Sequence, residues 1–147
     1  MTANDQTLDS CNALLTLETA AVETYSQVID KFDLEGADTA LERIRSDHEV
    51  NVFELHQFFD QGVPKTESHG GTWSGFEEAM DASDTLNGES PVLKILQAGE
   101  ELVISQYENA LANADVSEAA KAIIKRALLP PLSGHLIDLQ QRRDERL

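Results

Sequence analysis

Four stretches of this chain carry apolar residues at helical spacing, and in each the middle of the apolar stripe is broken by a glutamate or a histidine. At about 100° of rotation per residue, Glu18 falls among Cys11, Leu14, Val22, Tyr25 and Ile29. His48 falls among Leu41, Ile44, Val52, Leu55 and Phe59. Glu100 is flanked by Leu93, Leu96, Ile104, Tyr107 and Leu111, and His135 by Ile124, Leu128, Pro131 and Leu139. An isolated carboxylate or imidazolium inside a protein core is strongly destabilising unless it is paired and hydrogen-bonded. The stripes therefore require a fold in which these four residues meet, either directly or around a shared metal ion.

The same residues form an internal repeat. Glu18-x6-Tyr25 is followed by His48, and Glu100-x6-Tyr107 is followed by His135. A spacing of seven places glutamate and tyrosine two turns apart on one helical face. Twice in one chain, with a core histidine on the next helix each time, it indicates a duplicated helical hairpin. The duplication is imperfect, because the two Glu-to-His intervals differ by five residues.

The predicted helices cover 5–31, 39–60, 91–112 and 116–144. Thr39-x-x-Glu42 is a capping-box pattern, and Ser90-Pro91 supplies an N-cap serine with proline at the first helical position. No segment alternates with period two over a β-branched run, so strands are not expected. The expected fold is all-α: one domain spanning 1–147, an antiparallel four-helix bundle. It comprises a hairpin at 5–60, a long crossover at 61–90 and a second hairpin at 91–144. A crossover of that length lets the second and third long helices run parallel. Within it, Trp73 through Ala82 reads as a short helix whose Trp73, Phe76 and Met80 cover one end of the core. His69, beside Gly70 and Gly71, reads as a loop residue, and His56 as a helix-edge residue without chemistry. Pro130-Pro131 must break or kink the last helix one turn before His135.

Charge and composition exclude several functions. With 27 acidic and 11 basic residues the net charge is −16, which opposes binding to nucleic acid or an anionic membrane. The basic cluster at Arg142, Arg143 and Arg146 reads as favourable charge at a helix end. Cys11 is the sole cysteine, so no intramolecular disulfide forms, and a reducing compartment is expected. Neither a secretory signal nor a membrane span is visible, and the expected location is the cytoplasm. No nucleotide-binding glycine loop or nucleophile–base motif is present, so the sequence defines no substrate.

The Glu-Tyr-His pattern resembles the ferritin-like superfamily, rubrerythrin especially. In that family two helices each supply a Glu with a Tyr two turns on, and two others each supply Glu-x-x-His, together holding two metal ions. Glu18 with Tyr25, Glu100 with Tyr107, and the histidines His48 and His135 match those positions. In length, in hairpin–crossover–hairpin layout and in the opening segment from Thr7-Leu8 through Ala13-Leu14-Leu15, the chain is also similar to an uncharacterised bacterial family of ferritin-like four-helix bundles. Three residues before His48, however, stands Arg45, and three before His135 stands Leu132. Both bridging glutamates of the resembled motif are replaced, and Asp138, on the far side of His135, reverses the motif's order.

Two readings follow. In the first, no metal is bound and the bundle is non-catalytic. Arg45 turns inward to pair with Glu18 or Glu100, the histidines bond the remaining oxygens, and Tyr25 and Tyr107 contribute bonded hydroxyls. In the alternative, Glu18, His48, Glu100 and His135 bind one divalent ion, Fe, Mn or Zn, with a redox or metal-handling role. Finally, Val50, Phe53, Ile95, Leu102, Leu129 and Leu136 lie off the centres of their stripes. They predict a homodimer that buries Phe53 and Leu129 or Leu136, unless the crossover folds over them.

Overall fold

The computed structural model describes residues 2–32, 39–58, 71–86 and 90–145. Within them every regular element is helical and there is no strand: α1 (Thr2–Phe32), α2 (Thr39–Phe58), α3 (Phe76–Leu86), α4 (Ser90–Ala112), α5 (Glu118–Ile123), a π-helical turn (Ile124–Leu128) and α6 (Pro130–Glu145). The first part of the crossover, with His69, lies outside the described residues. No described helix is long and apolar enough to cross a membrane.

The stripes read from the sequence are the buried faces. Leu14, Tyr25, Leu41, Ile44, Leu55, Leu93, Leu96, Tyr107, Ile124, Leu128 and Leu139 all belong to one core. Side-chain bonds fix how the helices run. On α1 and α2, Glu18 meets His48 while Ser26 meets Arg45, so the two run in opposite senses. On α1 and α4, Glu18 meets Tyr107 while Tyr25 meets Glu100, again with opposite sense. α6 runs against both α2, through Arg43–Asp138 and Asp47–His135, and α4, through Gln97–Arg143 and Glu100–His135.

The two prolines do break the last helix, and the break has a structural use. Pro130 and Pro131 offer no backbone N–H, so the turn before them loosens into π geometry, with Leu129 N–H donating to Ile124 C=O at 2.9 Å. Leu132 N–H then bonds Leu129 C=O at 3.0 Å rather than the carbonyl of Leu128. The freed Leu128 carbonyl accepts instead from Asn51 Nδ2 on α2, at 3.0 Å.

The short crossover helix begins at Phe76, three residues later than the sequence suggests, because Gly75 has a positive φ of +84° that no α-helix contains. Trp73 N–H donates to Thr24 Oγ1 at 3.0 Å and its indole Nε1–H to Leu17 C=O at 3.2 Å. Gly75 turns the chain into α3. The indole drops against α4 at Gly99, where an added Cβ would come within 2.1 Å of Trp73 Cε3. Glycine at 99 is therefore what admits the ring. Gly99→Ala should destabilise the protein by about 1–3 kcal/mol through overpacking and shift Trp73 emission to the red, as read by urea denaturation and fluorescence. Unchanged stability would show that the ring can move aside.

Candidate functional site

Glu18 on α1, His48 on α2, Glu100 on α4 and His135 on α6 converge inside the core, with 0%, 0%, 0% and 3% of their surfaces exposed. His48 is the hub. Its Nδ1 lies 2.5 Å from Glu18 Oε1 and its Nε2 2.7 Å from Glu100 Oε2, and against two carboxylates, which accept, both nitrogens donate. A ring that donates at both nitrogens is an imidazolium. Burial alone pushes the His48 pKa down, but the flanking Glu100 and Glu18 outweigh it and lift the value to about 10. Glu100 is the mirror case. Burial pushes it up, but His48 and His135 bring it down to about 2.

The same two carboxylates also accept from the tyrosines, in a reciprocal exchange. Tyr25, from the first repeat, donates to Glu100 Oε2 at 2.6 Å, and Tyr107, from the second, donates to Glu18 Oε2 at 2.5 Å. Each tyrosine serves the other repeat's glutamate because α1 and α4 run oppositely. A tyrosine two turns from its own glutamate is too far to bond it. Both phenols are held well above their ordinary pKa, first by burial and then by the neighbouring carboxylates. Tyr25 also stacks on the His48 ring at 5.6 Å between centroids.

Two members of the cluster were not singled out from the sequence. Asn51, 1% exposed, bridges Glu18 Oε2 at 2.9 Å and the freed Leu128 carbonyl. Its signal is present but weak, since it sits one turn from His48 and about 60° round the helix, at the edge of the same stripe. Asp47 carries its Oδ2 to 2.9 Å from His135 Nε2, while His135 Nδ1 lies 3.0 Å from Glu100 Oε1. With its side chain 35% exposed, Asp47 is the outer end of the cluster. Nothing in the spacing could reveal it, because its partner is on another helix.

Arg45 corrects the expectation made for it. It does not pair with Glu18 or Glu100; its guanidinium lies on the flank of α2 facing α1 and donates to Ser26 Oγ at 3.3 Å. The two carboxylates are already saturated by His48, and a guanidinium drawn inward would lose its hydration without a vacant acceptor. Leu132 is fully buried. Asp138 points away from the site and pairs with Arg43 at 2.8 Å, and His56 is exposed. Burial raises Cys11 to about 12, which leaves it an inert core thiol.

The His48 and His135 rings stand 5.0 Å apart. One ligand atom from each of His48, Glu100 and His135 falls within 4.8 Å of the others, a group that can hold a metal ion. Glu18 is outside that trio, and nothing fills the positions of two bridging carboxylates. Comparison of the chain with protein-family models, curated proteins and solved structures finds no match.

The titrations have opposite signs at the two ends of the pH scale. His48 rises from 6.5 to about 10, so its contribution is complete below 6.5 and disappears as pH climbs through 10. Glu100 falls from 4.5 to about 2, so its contribution is complete above 4.5 and disappears as pH drops through 2. Thermal midpoints should therefore decline between pH 6.5 and 10, and His48→Gln should flatten that alkaline decline relative to wild type. An equal slope in both proteins would place the loss elsewhere. Asn51→Leu, which strands the Leu128 carbonyl, should cost about 1–3 kcal/mol by denaturant titration; a neutral effect would mean that water replaces the amide.

Proposed function

We propose that this chain is a ferritin-like four-helix bundle with a long crossover, whose interior is closed by protons rather than by a metal pair, and that it is not an enzyme. The observation that carries this is the double donation of His48 to Glu18 and Glu100. The protonated His48 puts between the two glutamates the positive charge that a metal would otherwise bring, and every oxygen of both glutamates has a hydrogen-bond partner. Replacement of the bridging positions by Arg45 and Leu132 supports the same reading, since it removes the ligands a dinuclear centre needs. Such a cluster selects one helix register more than it adds stability. A cytoplasmic setting stays part of the proposal, supported by the single cysteine.

The role that remains for such a bundle is association. Val50, Phe53, Leu102 and Ile137 are its exposed large apolar residues, and a homodimer burying Phe53 is the form we propose. Leu129 and Leu136 are half-buried, so α6 would contribute Ile137 in their place.

A second reading rests on the His48–Glu100–His135 trio. Two imidazoles and a carboxylate suit Zn, Fe or Mn. His48 would have to lose the proton it gives Glu100 before its Nε2 could ligate, so binding would release protons. Elemental analysis of protein purified without chelator separates the two. Well under one ion per chain is expected, and added Zn(II) should bind weakly. Stoichiometric metal that survives dialysis would overturn the proton-closed cluster in favour of the trio.

A further inference from the structure

Beside the indole of Trp73 a concave groove of about 380 Å³ opens between α1, α4 and the segment leading into α3. Its apolar wall comes from Leu17, Ala20, Trp73, Ile95 and Leu102, and Thr19, Thr72 and Ser74 supply hydroxyls. Among the described residues none that lines it is charged, although 26% of the chain is. The volume is within the range of small-molecule sites, roughly 300–1,000 Å³. We propose that this groove binds a neutral, largely apolar small molecule.

Charge decides the chemical class. The chain's net charge of −16 repels anions, and a cation finds no carboxylate in the lining to meet it. A neutral ligand meets neither penalty and gains from leaving water. Rigidity supports the site as well. Trp73 is pinned by its two N–H bonds to Thr24 and Leu17 and by the glycine-sized recess at Gly99, so the floor exists before the ligand arrives. The other side of the indole meets Tyr25 at 5.7 Å and His48 at 6.0 Å. The groove is thus one ring away from the buried cluster, and its binding does not depend on whether that cluster holds protons or a metal.

Trp73 is the only tryptophan in the chain, so tryptophan emission has a single source, beside this groove. The probe is N-phenylnaphthylamine, a neutral dye that brightens in apolar surroundings and accepts energy from tryptophan. Titration into the intact protein should give saturable binding of one dye per chain with matching loss of Trp73 emission. Leu102→Asp, at the half-exposed rim, should weaken binding about tenfold or more by placing a carboxylate in the groove. Ser133→Asp, at an exposed position of α6 outside the groove, should leave it unchanged, with circular dichroism confirming that both variants fold. Non-saturable binding, or equal affinity in Leu102→Asp, would overturn the proposal. So would sedimentation showing a wild-type dimer that Leu102→Asp converts to a monomer, with neither form taking up dye, because a second copy would then fill the groove.

Discussion

A protonated imidazole held between two carboxylates is the constraint on which the rest of this structure depends. His48 cannot be accommodated as a lone charge in a core this dry; it requires Glu18 on one side and Glu100 on the other. Those two residues come from α1 and α4, which are far apart in sequence, so one ring sets the relative heights of three helices. Slipping any of them by one turn would move a side chain by about 5.4 Å and break at least one bond to an ion. The apolar stripes draw the helices together, and the ionic hub decides at which height they stop.

The proline break belongs to the same arrangement. An uninterrupted last helix would keep the Leu128 carbonyl within its own hydrogen-bond ladder. With the π turn that carbonyl is released and taken by Asn51, whose amide also secures Glu18. A local irregularity in α6 is thereby tied to the position of a carboxylate on α1. The hydrogen bonds lost at the two prolines are partly recovered as contacts between helices.

Much of this was legible in the sequence. The four stripes and the turn residues at their ends place the long helices, and a polar residue at the centre of each stripe is enough to bring Glu18, His48, Glu100 and His135 together. Asn51 was less readable, being a polar residue about 60° from His48, at the edge of the second stripe. What spacing could not supply was partnership between helices. Arg45 was expected to turn inward because its angle on α2 permits that, but whether it does depends on which acceptors the other helices leave open, and His48 had already taken them. Asp47 was invisible for the same reason, since only the packing of α6 beside α2 gives it a histidine. The register between α4 and α6 also resisted counting, because the π turn absorbs residues that an ideal helix would have spread along its axis.

The exchange of tyrosines has a consequence for how the chain can be divided. The sequence repeats a Glu-Tyr-His pattern, and each half bonds its own glutamate to its own histidine, yet the tyrosines cross over: Tyr25 finds its acceptor on Glu100, and Tyr107 finds its acceptor on Glu18. A hairpin made alone would expose a glutamate and a tyrosine designed for a partner it lacks. The two halves are therefore complementary rather than autonomous.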